Sequence, residues 1–197
     1  MKSQPRIILA SASPRRKDLL TLMGLDFEII PSPREENIEG DLDPADYCQA
    51  LAYLKASDVS ELVHDPAAVI IGGDTIVVLG QHILEKPKDE ADAAKMLTRL
   101  SGKTHQVITG LCILQGDKMI EKHVITEVTF RKLSPELIKA YIQTGEPMGK
   151  AGAYAIQGKG SLLIKSVNGD YSNVVGLPVA ALADTLVKFG ITCLPKP

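Results

Sequence analysis

Cysteine is sparse in this 197-residue chain: only Cys48, Cys112 and Cys193 are present, odd in number and widely spaced. No pair has Cys-x-x-Cys spacing, which excludes a zinc knuckle or dithiol redox motif. Three reduced thiols in a cytosolic protein are expected. Long apolar runs are missing as well. Ile7–Ala10 is too short for a signal-peptide core, and nothing later approaches the ~18 apolar residues of a membrane span. A soluble, cytoplasmic protein with no membrane partner is therefore expected. Charge of one sign is not in excess, with 22 Lys plus Arg against 24 Asp plus Glu and a net charge of −2. A pI near 6.1 excludes the global basic footprint of a nucleic-acid binder and leaves room for a local basic pocket. No linker, repeat or low-complexity stretch divides the chain, so one domain over residues 1–197 is expected. That length suffices to bury about 70% of the unfolded surface.

What is present is an alternation of short Ile/Val-rich runs with segments of helical period, the pattern of an α/β domain. Strands are predicted at Ile7–Ala10, Phe27–Pro31, Ala68–Leu79 (turning at Gly80-Gln81 into Ile83–Leu84) and Ser161–Asn168. Thr104–Leu114 and Met119–Phe130, joined by Gln115-Gly116-Asp117-Lys118, predict a hairpin, so part of the sheet is antiparallel. Helices are predicted over Arg15–Met23, Pro44–Glu61 (Tyr47, Leu51 and Leu54 on one face) and Pro178–Phe189. Two more are set by caps: Asp89 before Ala93, Met96, Leu97 and Leu100, and Ser134-Pro135 before Leu137, Ile138, Tyr141 and Ile142. The fold class is α/β with a mixed, partly antiparallel twisted sheet flanked by helices.

Chemistry concentrates first at Ser11-Ala12-Ser13-Pro14-Arg15-Arg16, where a buried strand meets a helix. Unpaired backbone N–H groups and the helix dipole favour an anion there. Ser11 and Ser13 add hydroxyls, and Arg15 and Arg16 offer bidentate bonds to phosphate. The spacing is not that of a Walker loop. A bland reading, a Ser cap followed by two solvated arginines, has equal standing on the residues alone. Carboxylates follow at strand ends: Asp74 after Gly72-Gly73, Glu85 beside Lys86, and Glu35-Glu36 in a loop. Each alone is weak, and a lone Asp after a strand is more often a turn residue than a catalyst. Together with the basic turn they supply what polyphosphate hydrolysis requires: carboxylates that hold a divalent cation and orient water, and cations that absorb phosphate charge.

These segments resemble the Maf (septum-formation inhibitor) proteins. The likeness rests on Ser11–Arg16, Gly73-Asp74-Thr75, Leu84-Glu85-Lys86-Pro87, Ser101-Gly102-Lys103-Thr104-His105 and Lys150-Ala151-Gly152-Ala153-Tyr154-Ala155-Ile156-Gln157-Gly158, five motifs in order over nearly the whole chain. The resemblance implies a nucleotide pyrophosphatase of the subgroup that cleaves dTTP and UTP, with a Maf/ITPase-like fold of two lobes around a cleft. It implies Asp74 as proton acceptor, with Arg15, Thr75 and Gln157 at positions linked to substrate choice. Ser11, Arg16, Glu36, Lys55 and Lys86 match further positions for phosphates and metal. Glu36 and Asp74 are the expected ligands of the divalent cation, Mg²⁺ or Mn²⁺. Two departures stand out: Gly149 replaces an Asp usual before Lys-Ala-Gly-Ala-Tyr, and Ala155 replaces a Gly.

Gln157 offers a carbonyl and an amide complementary to N3–H and a carbonyl of uracil or thymine. The histidines His64, His82, His105 and His123 lack ligand spacing and are read as structural or surface. Tyr171 fits a turn before the last helix or a pocket rim, and Thr126–Thr129 fits an alternating strand. Two other readings remain: a hydrolase of the same fold for modified purine triphosphates, and a nucleotide-sensing regulator of cell division. The apolar content of 45% is compatible with a homodimer.

Overall fold

The computed structural model describes residues 5–33, 38 and 42–193. Among the described residues, seven strands form one sheet: β1 (Ile7–Leu9), β2 (Glu28–Ile29), β3 (Val69–Leu79), β4 (His82–Leu84), β5 (Thr104–Gln115), β6 (Lys118–Phe130) and β7 (Ile164–Asn168). Their order is β2-β1-β3-β5-β6-β7, with β4 also paired to β3. The helices are α1 (Pro14–Leu22), α2 (Pro44–Val63), α3 (Glu90–Leu100), α4 (Pro135–Ile142), α5 (Tyr171–Val175) and α6 (Val179–Val187). The mixed α/β class expected from the alternation is therefore observed: β1 pairs in parallel with β2 and β3, while β3–β4 and β6–β7 are antiparallel.

The chain divides into two compact units, residues 1–74, 109–124 and 176–197 in the first and 75–108 and 125–175 in the second. In the first, Ile8 lies opposite Ile70 and Leu9 opposite Ile71. Ile8, Ala10 and Ile70 bury against Ala52, Ala56 and Val59 of α2. The stripe that α2 buries includes Cys48, Leu51, Ala52, Ala56 and Val59; of the predicted face through Tyr47, Leu51 and Leu54, Leu51 is buried and the other two are only partly so. Small residues win there because α2 lies against backbone: a Cβ on Gly72 would stand 2.2 Å from the Ala52 carbonyl oxygen, and one on Gly110 2.4 Å from that of Cys48. The predicted strand Phe27–Pro31 shrinks to Glu28–Ile29, exposed and pinned by Arg6, which donates from Nε and Nη2 to the Glu28 carboxylate at 2.7 Å each.

In the second unit Leu97 and Leu100 of α3 and Ile138 and Tyr141 of α4 pack with Phe130, Tyr154 and Leu163. Asp89 and Ser134 cap their helices as expected, accepting from the amides of Asp92 at 2.7 Å and Leu137 at 3.2 Å. Two local expectations fail. Ser161–Leu163 is not strand: Gly158–Leu163 forms a 3₁₀ turn and β7 begins at Ile164. Gly158 at φ +75° bends the chain, and Gly160 lies so close to the Ala155 carbonyl oxygen that a Cβ would stand 2.1 Å away. Residues 171–175 form a short helix instead of a turn, because Asp170 Oδ1 accepts the amides of Ser172 and Asn173 at 2.7 and 3.2 Å.

Candidate active site

From β1 the chain runs through α1 to β2 on one side, then through α2 to β3 on the other side of β1. Ligands of open α/β sheets bind beyond the carboxyl ends of strands where the winding reverses in this way. The Ser11–Arg16 turn follows the end of β1, and Asp74 lies four residues beyond Ile70 on β3, which pairs with Ile8. The first unit thus gathers Ser11, Arg16, Lys55 and Asp74 at one end of two paired parallel strands.

Alternation along β3 separates their roles. Gly72 faces α2, whereas Gly73 faces α1: a Cβ on Gly73 would lie 3.5 Å from Arg16 Nε. Asp74, two residues from Gly72, turns back toward α2, where Lys55 Nζ donates to its Oδ1 at 2.6 Å. Both side chains are about one-tenth exposed, 12% for Lys55 and 11% for Asp74. The ammonium balances the carboxylate and fixes its orientation, and Oδ2 is the oxygen left to meet water or a cation. Cys48 Sγ supports the strand from α2, donating to the Asp74 carbonyl oxygen at 3.4 Å and accepting from Gly110 N–H at 3.2 Å. Nothing in the spacing of the three cysteines signals that role.

The two arginines differ, and the reading of both as solvated is overturned. Arg16 is only 8% exposed. Its Nε donates to the Gly176 carbonyl oxygen at 2.8 Å and its Nη1 to Ser11 Oγ at 3.0 Å. Ser11 Oγ also accepts from Ser13 N–H at 3.3 Å, while Ser13 itself makes no side-chain cap on α1. Arg16 therefore holds the turn in shape through a partner 160 residues away, which local pattern could not reveal. Arg15 is half-buried, and desolvation, then the neighbouring Arg16 charge, lowers its pKa.

Thr75, Lys86 and Gln157 belong to the second unit. Thr75 continues β3 and is partly buried; Lys86 is exposed just beyond β4, and Gln157 is exposed ahead of the 3₁₀ turn. The segment before Lys86 is tied to the Lys-Ala-Gly-Ala-Tyr stretch, since Gly152 N–H donates to the Glu85 carbonyl oxygen at 3.1 Å. Gly152 needs to be glycine twice over: φ is +66°, and a Cβ would lie 2.9 Å from Val77 Cγ1. Gly149, where Asp is usual, also has positive φ (+72°) and open space at its Cβ position. Glu36 and its neighbour Glu35 lie outside the described residues.

His105 is buried and structural, as expected. Its Nε2 bonds the Tyr154 hydroxyl at 2.8 Å, and it packs edge-on to Phe130 and Tyr154. Desolvation pushes its pKa down to about 4, so at neutral pH the ring is uncharged. Thr126, read as plain strand pattern, is a network node: its hydroxyl donates to the Asp170 carbonyl oxygen and accepts from the Asp170 amide and Asn173 Nδ2.

Among the described residues no three His, Cys, Asp or Glu side chains cluster as a metal site. Mg²⁺ needs no such cluster, because it commonly takes one or two protein carboxylates and completes its shell with water and substrate phosphates. A single fixed carboxylate with one oxygen still available fits that mode.

The profile of the family described as Maf-like protein matches residues 6–189. This chain belongs to the Maf family. Among its relatives, a protein of Ruminiclostridium cellulolyticum named dTTP/UTP pyrophosphatase is 53% identical over 185 residues, 92% of this chain and 95% of that one. A Bacillus pumilus protein of the same name is 49% identical, covering 95% of this chain and 98% of its own length. A solved structure of the Staphylococcus aureus Ham1 protein aligns with a TM-score of 0.46 at 13% identity, over 64% of this chain and 71% of that one.

Proposed function

We propose that this Maf protein hydrolyses dTTP, UTP and modified pyrimidine analogues to the monophosphate and pyrophosphate, a house-cleaning reaction. The observation that carries the reading is the placement of Asp74 and Lys55 beside the Ser11–Arg16 turn at one end of paired parallel strands, in a chain about half identical to proteins named for that activity. The turn presents N–H groups, the Ser11 hydroxyl and the Arg15 guanidinium to the phosphates, with Arg16 keeping it rigid. Asp74 aligns a water with the α-phosphorus and takes its proton, while Lys55 holds the carboxylate in place. Lys86 adds positive charge for the departing pyrophosphate, and Thr75 and Gln157 contribute to substrate choice. Asp74, with Glu36, would hold the divalent cation, and when bound that ion lowers the pKa of the attacking water and offsets phosphate charge.

Gln157, exposed at the head of its 3₁₀ turn, pairs its amide with N3–H and a carbonyl of uracil or thymine. Once the bound base covers this amide, cytosine leaves a polar group unmatched away from water, a discrimination of about 1–3 kcal/mol. A pyrophosphate-release assay across purine and pyrimidine triphosphates with Mg²⁺ present is the test, and UTP and dTTP are expected to be the preferred substrates. Changing Gln157 to Ala is expected to flatten the preference for UTP over CTP. Preferred turnover of a modified purine triphosphate, or no turnover of any nucleotide, would defeat the reading.

A further inference from the structure

Gln157 projects from a segment, Ala155–Gly160, that closes on itself over two side chains with no assigned role. Tyr141, at the end of α4, accepts the Ala155 amide on its hydroxyl oxygen at 3.2 Å and donates to Glu146 Oε1 at 2.9 Å. The Glu146 carboxylate in turn accepts the Gly160 amide on Oε1 at 2.7 Å and the Lys159 amide on Oε2 at 3.0 Å. Both ends of the segment therefore hang on one Tyr–Glu pair, and Gln157 lies between them. Two glycines make the close approach feasible. A Cβ on Gly158 would stand 2.8 Å from Glu146 Oε2, and one on Gly160 2.7 Å from the Tyr141 hydroxyl. Ile156, immediately before Gln157, is buried.

We infer that Glu146, with Tyr141, is the positioning residue for base selection: its carboxylate sets the shape of Ala155–Gly160 and so fixes where Gln157 presents its amide. Glu146 touches no reacting atom and acts through Gln157. The inference rests on the proposed pyrimidine-triphosphatase reading. The carboxylate suits the task because an anion that accepts several donors holds a backbone more firmly than a neutral acceptor. Desolvation acts to raise the Glu146 pKa, but the amides of Gly160 and Lys159, the Tyr141 hydroxyl and the Lys150 charge outweigh it, so the group stays ionised at neutral pH. Desolvation also raises the Tyr141 pKa, which keeps that hydroxyl a donor.

The test compares wild type with E146A, E146Q, Y141F, Q157A and the double variant E146A/Q157A, reading KM and kcat for UTP and CTP by pyrophosphate release together with thermal melting. E146A is expected to raise KM for UTP about tenfold while kcat falls far less, shrinking the UTP-to-CTP ratio of kcat/KM. E146Q, which keeps one acceptor oxygen, and Y141F are expected to fall between E146A and wild type. The double variant is expected to discriminate no worse than Q157A, because the two residues act in series. An unchanged UTP-to-CTP ratio in folded variants, an equal loss of kcat for both nucleotides, or additive losses in the double variant would overturn the inference while leaving the activity standing. If E146A does not fold, E146Q and Y141F decide by the same ratio. A wild-type protein inactive on both nucleotides would bring down the functional reading and this inference with it.

Discussion

Asp74, the proposed base, is oriented by an ion pair, with Lys55 Nζ donating to its Oδ1 at 2.6 Å. With the pair only about one-tenth exposed, removing a single partner strands the other's charge. Such losses cost about 3–5 kcal/mol when burial is complete and less at this exposure. Asp74→Asn keeps the shape and an acceptor for Lys55, so the fold and nucleotide binding are expected to survive with a lowered melting temperature. Turnover is expected to fall at least about 100-fold. Circular dichroism melting and steady-state rates measured on one preparation check both halves, and near-normal turnover would remove Asp74 from the chemistry. The motif Gly73-Asp74-Thr75 marked this residue in the sequence, but its lysine partner lies 19 positions away in α2. Spacing alone could not pair them.

At the level of strands and helices, α2 lies directly against the backbone of β3 and β5. The tolerance of that contact is set by two missing side chains. Gly72→Ala places a methyl 2.2 Å from the Ala52 carbonyl oxygen, which the backbone can relieve only by moving the helix that carries Lys55. A destabilisation of about 1–3 kcal/mol in urea unfolding is expected, together with a loss of turnover, whereas Gly24→Ala, with nothing near its Cβ position, strains only its own positive-φ backbone and is expected to spare turnover. Most elements were legible because their signals are local: Asp89 and Ser134 as caps, period-3.6 apolar faces on α3 and α4, and the turn Gly116-Asp117 between β5 and β6. The failures differ in cause. The buried stripe of α2 is decided by the backbone of β3 and β5, the 3₁₀ turn at Gly158–Leu163 by close approach to the Ala155 carbonyl and the Glu146 carboxylate, and the short helix after Asp170 by a local side-chain cap. Of the candidate site, the motifs named the residues proposed to act, but not the hydrogen bonds made by Cys48, the Gly176 carbonyl, Glu146 or Tyr141.

For the molecule as a whole, one buried ring contributes to the acid side of its stability curve. His105 has an ordinary pKa of 6.5 when unfolded and about 4 when folded. Below 6.5 the unfolded chain gains a proton that the folded chain refuses, so stability is full above that pH and declines as pH falls toward 4. The loss approaches about 3 kcal/mol at its limit. Urea midpoints are expected to drop between pH 7.5 and 5.5, and His105→Phe is expected to flatten the drop; an equal slope in both proteins would acquit the ring. The alternation along β3 reaches furthest. Because neighbouring residues point to opposite faces, deleting any one residue between Val69 and Gly73 while keeping the upstream pairing would hand the acid to the guanidinium side and leave the ammonium facing a threonine. Composition, motif and net helix content would hardly register the change, yet the enzyme would be a mirror-wired copy of itself, so length in this stretch should be the least negotiable quantity among its homologues.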